Sequence, residues 1–251
     1  MGFATKRTDP SEFSRNQYSE AYPPGIEHTY WHLARCRILE KQVLAGGGRR
    51  VLDVGCGRGI VVDYLVSRGI DCLGVELADV AIPERHKGRI TTGTPFADLS
   101  EHLRSSIDTV ILGDVIEHLS DPVQFLFQLR QSLPHLRTMI VTVPARKELW
   151  SNYDEHYGHY RRYDLDMLRG NMEEAGLHPV EIGYMFRLLY LPARLLLASA
   201  RNRTVRPRPA GSFGLVHKVV AKLILADYHL LPAGVYGTSV ICRAVVKSHA
   251  Q

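Results

Sequence analysis

The order of strands and helices in the chain predicts a doubly wound, mostly parallel α/β fold. Apolar runs of strand length alternate with helical patterns roughly every 20 to 30 residues, as strands joined by crossover helices do. The first run stops at a glycine turn that leads straight into a helix, a geometry suited to holding a ligand. With 251 residues, 45% hydrophobic and 23% charged, the chain can bury one full core.

Residues 1 to 24 are polar and end in Tyr22-Pro23-Pro24-Gly25, so a mobile arm is expected there. Ile26 to Leu44 carries apolar residues at helical spacing and is stopped by Gly46-Gly47-Gly48. Arg50 to Val54 is the first strand, and the helix after its turn runs from about Gly59 to Ser67. Ile70 to Leu77 is a second buried strand with Glu76 near its carboxyl end, Ala81 to Lys87 a weak helix, and Arg89 to Thr92 a short strand. Ile107 to Gly113 is the fourth strand. Asp121-Pro122 is an N-cap with proline at the first helical position, opening FLFQLRQSL. Met139 to Val143 is the fifth strand, and a helix capped by Asp164 ends at Gly176. Val180 to Gly183 and Thr238 to Val246 complete seven strands, and the last two are expected to be antiparallel. They are separated by Met185 to Gly237, too long for a hairpin and helical in pattern. The expected organisation is an arm and lid helix over residues 1–45, a catalytic unit over 46–184 and 238–251, and a helical insertion over 185–237.

The formal charge of +5 is spread along the chain apart from Arg201 to Arg208, which fits solvated surface better than a nucleic-acid partner. Cys36, Cys56, Cys72 and Cys242 contain no close pair, so neither a zinc site nor a disulfide framework is expected, and a reducing cytoplasm fits. The stretch MGFATKRTDPSEFSRN has no apolar core segment, so no signal peptide is expected. The apolar stretch Tyr184 to Ala200 is interrupted by Arg187, Pro192 and Arg194 and falls short of the ~20 residues of a spanning helix.

A glycine turn after the first strand is compatible with NAD(P), FAD or S-adenosylmethionine. The dinucleotide fingerprint is GxGxxG after an all-apolar strand, whereas here the glycines read GxGxG and Asp53 lies inside the strand. That carboxylate would repel a pyrophosphate but suits a ligand with an ammonium and a sulfonium centre. Glu76 ends the next strand, where a carboxylate accepts from ribose hydroxyls.

With these residues in place, the sequence resembles the class I S-adenosylmethionine-dependent methyltransferases. VLDVGCGRG looks like their first motif, GVEL their second, and LGDVIEHLSDP the segment after the fourth strand. VTVPARKELWSNYDEHYGHYRRYDLDML resembles the subgroup with a W-x-x-x-D region followed by GHxRRY, similar to ubiquinone-biosynthesis O-methyltransferases. The resemblance covers about Tyr30 to Leu177 and implies a Rossmann-like methyltransferase sheet with S-adenosyl-L-methionine as cofactor and S-adenosyl-L-homocysteine as product. It places Asp53, Gly55 and Gly57 at the methionine end, Glu76 at the ribose, and Asp114 and Val115 near the sulfonium, with Cys56, Gly59 and Leu77 also expected to bind the cofactor. TTGTPFADL, Thr91 to Leu99, departs from the common acidic pattern, so the adenine contacts stay open.

Methyl transfer needs an aligned nucleophile and, for a hydroxyl acceptor, a base. His118, beyond the fourth strand, and His156 and His159, in the loop after the fifth, are the candidates. Asp114, Glu117 and His118 also look like the E-x-x-E-H segment of the ubiquinone-biosynthesis enzymes, whose side chains can hold a divalent metal. Here Asp shortens one ligand, and a metal-free site is favoured. Tyr160, Arg161 and Arg162 form a donor patch that fits an anionic acceptor or, equally, a salt bridge to Asp154 or Asp164. Trp31 is either a substrate contact or a packing staple. The insertion reads as a buried core or dimer helix, or as an interfacial helix over 185–209 with Arg201 to Arg208 facing anionic head groups.

The expected activity is therefore O-methylation of a small-molecule, saccharide or lipid-linked acceptor by a monomer or homodimer, cytoplasmic or membrane-associated. The competing readings are an NAD(P)-dependent oxidoreductase and a non-catalytic binding module.

Overall fold

The computed structural model describes residues 20–199, 211 and 214–246. The expected arm before Glu20 and the basic cluster Arg201 to Arg208 lie outside the described residues. In chain order the elements are α1 (Tyr30–Ala45), β1 (Arg50–Val54), α2 (Ile60–Ser67), β2 (Asp71–Glu76), β3 (Ile90–Thr92), α3 (Glu101–Arg104), β4 (Thr109–Gly113), α4 (Pro122–Ser132), β5 (Thr138–Pro144), α5 (Asn152–His156), α6 (Leu165–Glu174), β6 (Leu177–Met185), α7 (Tyr190–Ser199), α8 (Gly214–Leu230) and β7 (Ser239–Val246).

The strands form one seven-stranded sheet in the order β3-β2-β1-β4-β5-β7-β6. β1 pairs in parallel with both β2 and β4, so the strand order reverses beside it and a crevice opens at the strands' carboxyl ends. The last two strands pair antiparallel, as expected, and of the seven only β7 runs against the rest of the sheet. β7 runs against both β5 and β6 because it slots between them, which leaves β6 pointing the same way as β5.

Side-chain alternation along the strands feeds two cores. Leu52, Val110 and Met139 face α4 and α6, through Leu126, Leu129, Leu168 and Met172. Val51, Ile111 and Ile140 face α1, α2 and α8, through Leu39, Val43, Leu65 and Ile224. The caps fall where the sequence puts them: Asp121 accepts from Gln124 N–H at 2.9 Å and Asp164 from Met167 N–H at 2.8 Å. The weak helix expected over Ala81 to Lys87 shrinks to one 3-10 turn, Glu84–His86, held between Pro83 and Gly88.

α8 lies along α1. His217 Nδ1 accepts from Tyr30 N–H at 3.1 Å, and Gln42 Nε2 donates to the Tyr228 hydroxyl at 2.8 Å. Asp227 fastens the start of the insertion by accepting from Arg187 N–H at 2.8 Å. The buried-core reading of α7 does not hold: Leu191 is 67% exposed and Leu195 69%. No helix among the described residues is long and apolar enough to cross a membrane.

Candidate active site

The glycine turn after β1 is shaped by its backbone. Gly55, Gly57 and Gly59 have φ of +73°, +57° and +79°, a region that strains any side chain. A Cβ on Gly55 would stand 2.7 Å from Val115 Cγ2, and one on Gly57 would strike the Tyr22 hydroxyl. Tyr22 thus lies on the turn, tied there by Arg58 Nη1, which donates to its carbonyl at 3.3 Å. Glu76, at the end of β2, accepts from Gly57 N–H at 2.8 Å and from Ala78 N–H at 3.1 Å. Burial lifts the Glu76 pKa above the ordinary value, with those backbone bonds opposing the rise.

α1 delivers Arg35, which the sequence places in the lid helix over the cofactor mouth, to the end of β4. Its Nη2 lies 3.2 Å from Asp114 Oδ2, and its guanidinium sits 4.8 Å from the centre of the Trp31 ring. Asp114 holds a left-handed φ of +58°, rare for a non-glycine residue and typical of strained functional positions. Burial raises its carboxyl pKa, and Arg35 works against that. Burial also pushes Asp53 up to about 7, with Arg35 opposing and Glu76 adding to the rise. Two carboxylates, Asp53 and Asp114, thus feel the charge of one buried guanidinium, with Glu76 close enough to Asp53 to raise its pKa.

At the other end, the loop after β5 is organised by Asp154. This fully buried carboxylate accepts from Ser151 N–H at 2.9 Å, completing a capping box on α5, and from Arg162 Nε at 2.7 Å. It also holds His159 Nδ1 at 2.8 Å. Burial alone would raise the Asp154 pKa, but the hydrogen bonds from His159 and Arg162 outweigh it and leave the group below its ordinary value. His118 meets His159 edge to face at 4.7 Å between ring centres. Burial, with the neighbouring His159, pushes the His118 pKa down to about 3. Beside them Glu117 is fully buried, with neither carboxylate oxygen hydrogen-bonded and His118 Nε2 4.0 Å from Oε1, and burial raises its pKa well above the usual range.

A cavity of about 1060 Å³ joins these two ends. Gly55, Glu76, Leu77, Asp114 and Val115 line it, as do His118, His159, Trp31 and Arg162. Thr94, Pro95 and Phe96 line the stretch for which the sequence left the adenine contacts open. Four predicted cofactor residues, Asp53, Cys56, Gly57 and Gly59, stay behind this wall because Tyr22 covers the turn and Cys56 packs against Gly74 of β2.

The acceptor-side expectations need three corrections. His156 is not among the lining residues, since its Nε2 pairs with Glu20 at 3.1 Å. Tyr160 and Arg161 also lie off the wall: Tyr160 is exposed, and Arg161 donates to the Ser120 carbonyl at 2.8 Å. Arg162, which lines the cavity, bonds Asp154 and the Ala145 carbonyl, the salt-bridge alternative of the sequence reading. The metal-capable group among the described residues is Glu117, His118 and His159, with ligand atoms within 4.8 Å of one another, because the Asp114 carboxylate turns to Arg35. Trp31 is both staple and lining: it stacks on Phe186 with ring centres 5.9 Å apart and faces the cavity.

A family model described as a methyltransferase domain matches residues 30–182, from the start of α1 into β6. The chain belongs to the class I S-adenosylmethionine-dependent methyltransferases. It is 32% identical over 141 residues to the ubiquinone biosynthesis O-methyltransferase of Paracidovorax citrulli (strain AAC00-1), covering 49% of this chain and 56% of that protein. To the protein of the same name from Chromobacterium violaceum it is 28% identical over 174 residues, covering 63% of this chain and 71% of the relative. The first of these matches therefore spans little more than half of the relative's length. Among solved structures, the plantazolicin methyltransferase BamL superposes with a TM-score of 0.53 at 12% identity over 93% of this chain and 89% of that one. The cyclase SpnF does so with a TM-score of 0.52 at 17% identity over 86% and 80%. One fold carries a methyltransferase and a cyclase, so the reaction must be argued from the site.

The methyltransferase uses S-adenosyl-L-methionine, and its residues fit that cofactor. A ligand bearing an ammonium and a sulfonium supplies the positive charge that Asp53, Asp114 and Glu76 call for beyond what Arg35 gives the first two, where a pyrophosphate would add to the repulsion. Such a ligand favours the ionised form of Asp53 and so lowers its pKa from about 7. Binding at neutral pH should then release a proton, and affinity should weaken as pH falls below 7, by up to about tenfold per unit for one linked proton. Titration calorimetry in buffers of different ionisation enthalpy measures the release, and Asp53→Asn should flatten the dependence.

Proposed function

We propose that the methyltransferase acts on a hydroxyl of a small-molecule acceptor with a sizeable apolar body, and that His159 is the general base. The observation that carries this reading is the 2.8 Å bond between His159 Nδ1 and the buried Asp154 carboxylate. With Nδ1 engaged, Nε2 is the nitrogen left for the acceptor's proton, and Asp154 stabilises the imidazolium that forms. His118, pushed down to about 3, holds a proton too weakly to serve and instead packs the edge of the His159 ring. Bound S-adenosyl-L-methionine supplies an electrophilic methyl group and leaves as a neutral thioether. Arg35 is assigned to the carboxylate of the cofactor's methionine moiety, Asp114 to its positive end and Glu76 to its ribose, with Asp53 acting on the positive end by its charge from behind the wall.

The cavity lining left after the cofactor residues favours an apolar acceptor over a bare saccharide: Leu149, Tyr153 and Leu189 are among it. Oxygen as the acceptor atom agrees with the O-methyltransferase names of the relatives.

A second reading is favoured by Glu117. A buried carboxylate that accepts no hydrogen bond, beside two imidazoles, would hold a divalent cation, and this donor set suits zinc or manganese better than magnesium. Such an ion would polarise the acceptor oxygen.

One assay separates the two. With cofactor labelled in its methyl group, label should pass to hydroxyl acceptors, and more readily to those carrying an alkyl chain. Transfer to nitrogen or carbon alone overturns the oxygen assignment. EDTA should leave the rate unchanged if His159 is the base. A fall of on the order of tenfold or more, restored by Mn²⁺ or Zn²⁺, would establish the metal reading.

A further inference from the structure

The described part of the insertion presents an apolar surface that the fold does not cover. On α7, Leu191, Leu195 and Leu196 are each more than half exposed. On α8, Leu215 is 76% exposed, and Val216 and Leu223 are more than half exposed. Isolated exposed leucines are ordinary, but two neighbouring helices of the same insertion exposing so many are not. The charges are equally one-sided. The exposed charged residues of these helices are Arg194, Lys218 and Lys222, and their acidic member, Asp227, is buried against Arg187. The sequence joining the helices contains Arg201, Arg203, Arg206 and Arg208 and no acidic residue.

We infer that α7 and α8 form an interfacial docking surface for a bilayer containing anionic lipid. An apolar face bordered by cations is the pattern of helices that lie in the head-group region, and neither helix could span the bilayer. A second copy of the chain is a poorer occupant, because a symmetric contact would press each copy's cations against the other's. The position of the surface gives it a purpose. Leu189, Pro192, Ala193 and Leu196 of this region, with His217 of α8, line the cavity that contains His159. Leu196 therefore belongs to the exposed face and to the cavity wall at once. Resting on the methyl transfer proposed above, the apolar acceptor would pass from the lipid into the cavity between these helices without crossing water.

Cosedimentation of the full chain with phosphatidylcholine vesicles, with and without about 30% phosphatidylglycerol, tests this. The protein should pellet with the anionic vesicles, and the double variant L195E/L223E should pellet at least about tenfold less. Neither residue lines the cavity, so S-adenosylhomocysteine affinity, measured by calorimetry, should match the wild type in this variant. A wild-type protein that stays in the supernatant with anionic vesicles overturns the inference, as does a variant that binds them equally well. So does light scattering that finds a dimer in the wild type and a monomer in the variant, which would assign the face to self-association. Loss of vesicle binding alone leaves the methyl-transfer reading standing, whereas failure of labelled methyl transfer to soluble acceptors removes that reading and leaves the vesicle result untouched.

Discussion

His159→Ala is expected to lower kcat by about 10²–10⁴-fold while S-adenosylhomocysteine affinity stays near that of the wild type. The separation between the two readouts follows from geometry. His159 stands in the loop after β5 against Asp154, whereas the residues gathered at the cofactor end come from α1, β1, β2 and the end of β4. Stability should also be largely kept, because the Asp154 carboxylate retains Arg162 Nε and Ser151 N–H when the imidazole is gone. Asp154→Asn is the less clean experiment: it removes the anion facing a buried Arg162 guanidinium, a loss that costs about 3–5 kcal/mol in stability. The sign with pH is fixed by the lowered Asp154 pKa. Its contribution is present above the ordinary carboxylate range and is lost as pH falls through the folded value, so comparisons made near pH 7 leave the pair intact. Equal falls in kcat and in cofactor affinity for His159→Ala would give this histidine a structural role. Steady-state kinetics with calorimetry on the same preparation distinguishes the outcomes.

Arg35→Met should be the most damaging single change at the cofactor end, costing about 3–5 kcal/mol of stability and most of the S-adenosylhomocysteine affinity. Methionine replaces much of the volume but leaves the buried Asp53 and the half-buried Asp114 with no cation between them. Both carboxyls are already raised by burial against the opposing pull of Arg35, and without that pull they rise further. A carboxyl raised in the folded state destabilises as pH climbs through its folded value. The penalty of the substitution should therefore be larger at pH 8 than at pH 5, and adding Asp53→Asn should recover part of it at pH 8. Thermal denaturation across that range measures both effects. A penalty independent of pH would mean that Arg35 matters through its packing on Trp31 instead.

Much of the framework was legible in the sequence because it is set locally. The β1 run and the positive-φ glycines after it, the Asp121-Pro122 and Asp164 caps, and Glu76 at the end of β2 each depend on a few consecutive residues. The strand count was legible for the same reason, whereas the place of β7 between β5 and β6 was not, because that depends on contacts between distant segments. At the site, His159 was among the candidates, but its distinction from His118 and His156 lay elsewhere: in burial that empties His118 of basicity and in a Glu20 that occupies His156. Arg161 and Arg162 carry the chemistry of an anion site, and only the fold reveals that they bond Ser120 and Asp154.

The same division runs through the appended pieces. The all-apolar pattern of the insertion was plain, yet a pattern reports which faces of a helix are alike and not what lies against them. By itself the sequence determined the sheet, the glycine turn and the cofactor class, since backbone conformation and short-range charge are written in neighbouring residues. Only the tertiary structure decided that Arg35 answers Asp114, that Tyr22 covers the turn, that Asp154 orients His159, and that α7 and α8 leave their leucines outside. Those are contacts between distant segments, and what settles them is which surfaces remain to be buried once the sheet and its helices have packed.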